Sequence, residues 1–212
     1  MTDTVKAGPL IVGPLIVGLG GTMTSNSSSE RVLRHVLDEC RAAGAETILF
    51  DGSALDLPMY GYGTPRTGKA QALIAALRRA EGVVIASPGY HGTVSGLIKN
   101  ALDYIEDMAK DPRPYFEGRA VGLITVAAGW QATGTTLATL RSIVHALRGW
   151  PTPMAVTVNS VQPVFAEDGT VSDAALKAQL GVLAHQVVSF ARMKALDDLG
   201  RAAAAVQNSD KD

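Results

Sequence analysis

Two stretches of this 212-residue chain concentrate glycines with hydroxyl, aromatic and imidazole side chains in patterns suited to holding a ligand. The first, Gly18 to Ser29, reads GLGGTMTSNSSS: three glycines, then six hydroxyl side chains and the amide of Asn26 within eight residues. Backbone N–H groups and hydroxyl donors at that density, just ahead of a helix N-terminus whose dipole favours an anion, suit a phosphate. The second, Ser87 to Asp103, reads SPGYHGTVSGLIKNALD and follows the apolar run Gly82 to Ala86. Pro88, Gly89, Gly92 and Gly96 are expected to deny this loop regular structure and to let its backbone pass close to a ligand. Tyr90 and His91 offer rings with polar tips, so a flat, partly polar molecule fits against them. His91 is also the single candidate proton donor, although a contact with ligand or backbone suits its place in the loop better.

Other chemistries find no residues to carry them. His35, His91, His145 and His185 are scattered, without paired-cysteine or H-E-x-x-H spacing, so no metal site is expected. A G-x-S-x-G elbow is missing, and with it a hydrolase triad. Gly18, Gly20 and Gly21 are not followed by the third glycine of a dinucleotide fingerprint, which points to a mononucleotide. A formal net charge of -1 gives no basic field for nucleic acid. Cys40 is the only cysteine, which excludes an internal disulfide and fits a reducing, cytoplasmic setting. It sits at an apolar helical position and reads as core. No run approaches the length of a membrane span, and two prolines break the apolar N-terminal stretch, which argues against a signal peptide.

Strands and helices alternate regularly around the two stretches. With 47% hydrophobic residues and no long charged tract, the chain suits one domain with a substantial core. Gly8-Pro9-Leu10-Ile11-Val12 is repeated as Gly13 to Val17, and only one copy can be the first strand. Leu15 to Leu19, which leads into the glycine loop, is taken as that strand, and residues 1–14 as an extension. Val32, Leu33, Val36, Leu37 and Cys40 mark a helix over 30–43, stopped by Gly44. Strands follow at 47–50, 82–86, 120–126 and 154–158. Further helices are predicted from Ala70, Leu73, Ile74 and Leu77, at 95–108, at 135–147 and at 172–199. The single domain is expected to span 15–200, with a frayed tail over 201–212. Strands that are apolar almost throughout need burial on both faces. The fold class is therefore α/β: a doubly wound, five-stranded parallel sheet in the flavodoxin-like order 2-1-3-4-5, helices on both faces. Ligands bind such sheets beyond the carboxyl ends of the strands, where the order reverses between the first and third, and both chemical stretches stand there.

The second stretch resembles the NAD(P)H-dependent FMN reductase family, whose ring loop reads P-x-Y-[NH]-x-[ST]-x-x-x-x-L-K-N-A-[LI]-D. Pro88, Tyr90, His91, Thr93, Leu97, Lys99, Asn100, Ala101, Leu102 and Asp103 fall in place. Gly21, Thr22, Ser27 and Ser29 match the family's G-[ST]-x-R-x-x-S-x-[NS] phosphate loop, with Thr24 where many members have arginine. The resemblance implies FMN as cofactor and NADPH or NADH as hydride donor. Its phosphate would lie on Thr22, Thr24, Ser27, Ser28 and Ser29, and its ring against Pro88, Gly89, Tyr90, His91, Gly92 and Thr93. Ala128, Gly129 and Trp130, in the looser third loop Ala127 to Gly134, would meet the pyrimidine end, with Trp130 as a cover or as a surface tryptophan. The family passes reduced flavin to a partner monooxygenase, or keeps FMN and reduces a quinone, azo dye or metal oxyanion. A non-enzymatic flavodoxin-type carrier fits less well, since those are strongly acidic. The resemblance also implies a homodimer or homotetramer, with Tyr104, Ile105 and Met108 expected to provide its apolar surface.

Overall fold

The computed structural model describes residues 13–209, without the side chains of residues 205–209; the first GPLIV copy lies outside the described residues. Among the described residues, five parallel strands stand in the order β2-β1-β3-β5-β6: β1 Leu15–Gly20, β2 Glu46–Phe50, β3 Gly82–Tyr90, β5 Ala120–Ala127 and β6 Trp150–Asn159. A two-residue strand β4, Thr93–Val94, pairs antiparallel with the end of β3. The main path is the expected order with β4 inserted in the count.

Alternation along each strand explains why these segments are apolar throughout. Val17, Leu19, Val83 and Ile85 face one layer, while Ile16, Val84 and Ala86 face the other, as successive strand residues must. Helix α1 (Ser28–Ala42) and helix α5 (Ala174–Ser209) cover the second face; α2 (Gly68–Arg79), α3 (Gly96–Asp103) and α4 (Trp130–Ala146) cover the first. Local chemistry starts several of these helices. Ser27, Thr67 and Ser95 are N-caps whose hydroxyls accept the N–H of Glu30, Ala70 and Ile98, an arrangement that contributes about 1 kcal/mol per cap. Cys40 is fully buried in α1, and burial pushes its thiol up to about 12. It is an inert core residue, as its helical position implies.

Four expectations change. Strand β3 continues to Tyr90 and turns back through His91 and Gly92 into β4, so the ring stretch is a hairpin rather than irregular loop. Helix α4 begins at Trp130, which turns most of the third loop into a helix N-terminus. Helix α5 runs from Ala174 to Ser209 and so continues past Leu199, the expected end of the last helix. Finally, α3 tightens into a 3-10 helix over Tyr104–Met108 and buries Tyr104, Ile105 and Met108 at 2%, 0% and 0% exposure. Those three side chains belong to the core next to α2 and cannot form an oligomer surface. The exposed apolar side chains from the neighbouring segment are Met59 and Tyr62.

Candidate functional site

The site is built by register. β1 pairs β3 with Gly20 opposite Ala86, and β3 pairs β5 with Pro88 opposite Val126. The three segments that leave these carboxyl ends therefore stand side by side: Gly21 to Ser27, the hairpin at 88–94, and Ala128 to Trp130. A Cβ on Gly20 would lie 2.7 Å from Ala86 O and 2.8 Å from Leu33 Cδ2, so the strands and α1 close up just below the first loop.

In the first loop, Thr22 Oγ1 donates to Thr24 O and accepts the Thr24 N–H, both at 3.1 Å. The Thr22 hydroxyl is thus spent on folding the turn. Asn26 follows with φ 55, and the chain then enters α1. Ser27 Oγ accepts Glu30 N–H at 3.4 Å and lies 3.3 Å from the hydroxyl of Ser29, which is buried. Arg31 N–H goes to Ser27 O, so the Ser28 and Ser29 N–H groups have no acceptor among the described residues. Thr24, Ser25 and Ser28 keep outward or half-outward hydroxyls. These donors and the helix dipole have the chemistry that suits an anion. The nearest α1 cations are engaged: Arg34 pairs with Glu30 at 2.6 Å, and Arg31 lies 5.4 Å from the Phe165 ring centroid.

The second segment is held against α4. His91 and Gly92 have φ 52 and 80, both left-handed, as a two-residue hairpin turn requires. Gly89 must be glycine, because a Cβ would fall 2.7 Å from Thr136 Oγ1 and 3.3 Å from Ala132 O. That Thr136 hydroxyl is buried with no hydrogen-bond partner among the described residues. Ser87 Oγ accepts Ser95 N–H at 3.1 Å and ties the hairpin's base to α3. Pro88 is buried, whereas Tyr90, His91 and Thr93 point into the open, Tyr90 at 53% exposure. In the third segment Ala128, Gly129 and Trp130 are all exposed, Trp130 at 60%. Gly129 is the α4 N-cap and supplies no side-chain acceptor, so first-turn N–H groups of α4 also face outward.

Two supports escape a reading of sequence. Gly52, just after β2, lies against the first loop so closely that a Cβ would come 1.8 Å from Thr22 O. Asn100, inside the LKNALD run, faces away from the ring hairpin: its Oδ1 accepts Tyr60 N–H at 2.8 Å, and its Nδ2 donates to Leu57 O and Pro58 O at 3.2 and 3.0 Å. Tyr104 OH adds a bond to Pro58 O, and Arg66 grips Asp107 through two bonds while its guanidinium lies over the Tyr60 ring. The Arg66 hydrogen bonds hold the Asp107 carboxyl below the ordinary carboxylate range. Part of the motif therefore pins the segment between β2 and α2. Signals for both supports existed, a glycine straight after a strand and an asparagine at a buried helical position, but neither reveals its partner.

Among the described residues, no cluster of His, Cys, Asp and Glu could hold a metal ion, and no helix is long and apolar enough to cross a membrane. Residues 14–162 match the NADPH-dependent FMN reductase family. The chain belongs to that family. Similar to this reductase is the FMN-dependent NADPH-azoreductase of Staphylococcus aureus, 26% identical over 178 residues, which are 80% of this chain and 91% of that one. Among solved structures, the NAD(P)H:(acceptor) oxidoreductase FerB of Paracoccus denitrificans superposes with a TM-score of 0.68 at 20% identity, covering 85% of this chain and 98% of that one. An NADH:FMN oxidoreductase, EMOB, gives 0.65 at 18% identity, with 85% and 89% covered. At those identities the structures show the fold, which is flavodoxin-like. As a member of this family the protein is an oxidoreductase that uses FMN and NADPH.

The reductase's own residues fit an FMN. The phosphate needs several donors on a compact turn, and the first loop offers unpartnered N–H groups and hydroxyls over a backbone that includes Gly21 at φ 99. The isoalloxazine needs a shallow, glycine-lined wall with aromatic edges; Gly89, Gly92 and Gly129 with Tyr90 and Trp130 supply one.

Proposed function

We propose that the cleft above β1, β3 and β5 holds FMN, with the phosphate on the 21–29 loop, the ring along the hairpin, and the pyrimidine end toward Ala128, Gly129 and Trp130. The observation that carries this reading is the side-by-side placement of one donor-rich loop and one glycine-closed hairpin at the point where strand order reverses. When bound, FMN supplies the redox chemistry, accepting hydride from reduced nicotinamide and passing electrons onward. The chain's part is to bind and orient. The Ser27 hydroxyl, which accepts Glu30 N–H and lies 3.3 Å from the Ser29 hydroxyl, can turn its own proton to a phosphate oxygen, and the Ser28 and Ser29 N–H groups add two more donors. The hairpin, seated on Thr136 and Ala132 of α4, sets the height of the ring.

Because Thr24 stands where a charged side chain is common, FMN is held by hydrogen bonds and a helix terminus alone. We therefore favour an exchanging flavin, reduced here and delivered to a monooxygenase partner. The azoreductase relative favours a second reading, in which FMN stays bound and an azo or quinone acceptor is reduced in place. Steady-state NADPH oxidation separates them. A rate that saturates with added free FMN supports delivery; a rate that depends on the dye or quinone and ignores free FMN supports retention.

His91 tests how much the chain itself contributes to chemistry. It lies exposed at a left-handed turn position, which asparagine tolerates as well. His91→Asn should weaken FMN modestly and leave the rate of saturated enzyme within about tenfold, whereas loss of a general acid costs about a hundredfold or more. Rapid-mixing measurement of flavin reduction at saturating FMN decides between them.

A further inference from the structure

A carboxylate is the wrong charge for the floor of a phosphate site, yet Glu30 is there at 5% exposure, in the first turn of α1. Its Oε2 accepts the Asn26 N–H at 3.1 Å. Its Oε1 is held by Arg34, from Nε at 2.9 Å and Nη2 at 2.6 Å. In an ordinary capping box this carboxylate reaches back to the N-cap N–H. Here it reaches one residue further, to Asn26, whose φ of 55 is the single left-handed non-glycine turn of the loop. The same side chain lies under the loop's other end, where a Cβ on Gly21 would meet Glu30 Cβ at 3.5 Å and Ser27 Oγ at 3.8 Å. Arg34 also comes within 3.7 Å of Asp51 on the segment after β2, so the carboxylate is anchored as well as neutralised.

We propose that Glu30 is a positioning residue for the FMN phosphate. Through the Asn26 N–H it locks the left-handed turn that presents Ser27 as N-cap and leaves the Ser28 and Ser29 N–H groups facing the anion. Arg34 offsets its charge, and this is why a buried acid can serve beside a phosphate. The inference rests on the phosphate reading of the loop given above.

Charge and positioning predict opposite signs. If Glu30 acted only as a nearby negative charge, removing it would tighten FMN. As a positioning residue, Glu30→Ala should weaken FMN about tenfold or more and leave riboflavin, which has no phosphate, within about twofold. Glu30→Gln keeps an oxygen for the Asn26 N–H and should recover most of that loss. In the ligand-free protein, hydrogen exchange of the Asn26 amide should quicken in Glu30→Ala and not in Glu30→Gln. Asn26→Val, which leaves Glu30 and Arg34 intact and disfavours only the turn, should reproduce the FMN-selective loss. Tighter FMN in Glu30→Ala, equal effects on both flavins, or a Glu30→Gln as weak as Glu30→Ala overturns the proposal. Should Ser27→Asp discriminate between the flavins while Glu30→Ala and Asn26→Val do not, the phosphate site stands and only the role of Glu30 falls.

Discussion

Ser27→Asp should weaken FMN by several kcal/mol and leave riboflavin nearly unaffected. Aspartate is as good an N-cap as serine, so its carboxylate can still accept Glu30 N–H and α1 should form normally. What changes is the face toward the ligand. One hydroxyl donor to a charged group is lost, a term of about 1.5–3 kcal/mol. A carboxylate then opposes the phosphate dianion at close range, and two like charges 4 Å apart near a protein surface repel by about 4 kcal/mol. Two effects of the same sign act on the phosphate alone, which makes the FMN to riboflavin comparison diagnostic. Equilibrium titration of both flavins measures it. Equal weakening of both, or of neither, would move the phosphate away from this loop.

Asn100→Leu should lower global stability by about 3–5 kcal/mol, the largest effect expected of a residue outside the cleft. Leucine is close in size, so the loss is of hydrogen bonds rather than volume. Tyr60 N–H and Leu57 O are left without the partner they have now, and Pro58 O keeps only Tyr104 OH. The segment between β2 and α2 would then depend on Arg66 and Asp107. Because Arg66 holds the Asp107 carboxyl below its ordinary range, that ion pair's contribution is complete above the usual carboxylate value. It fades only as pH falls through the lowered value, so the variant should be unusually sensitive to acid. Urea unfolding at neutral and acid pH reads both effects. A loss under about 1 kcal/mol would mean that the asparagine's bonds are replaced by water.

Much of this architecture is legible in sequence because burial on both faces leaves strands no freedom. Leu15 to Leu19 had to be the first strand, since only that GPLIV copy feeds the serine-rich loop, and Leu15–Gly20 is β1. The three chemical segments follow from strand order alone. What sequence hides is partner choice. Pro88, Gly89 and Gly92 look like loop formers, yet β5 offers Val126 a ladder position opposite Pro88, and His91-Gly92 suits a tight hairpin. Tyr104, Ile105 and Met108 look like an apolar surface until a 3-10 turn rotates them into the core. Asn100 carries the family pattern but acts forty residues away, on Tyr60. Glu30 and Gly52 are equally silent: a first-turn acid and a glycine after a strand are common, and only the fold shows them touching the loop over residues 21–27.

Whether this chain takes up and uses FMN is read by equilibrium titration of the purified, flavin-free protein with FMN, followed by NADPH under anaerobic conditions. Saturable uptake of about one FMN per chain is expected, then bleaching of the oxidised flavin absorbance on addition of NADPH. Absence of FMN uptake, or bound FMN that NADPH fails to reduce, would contradict the FMN reading.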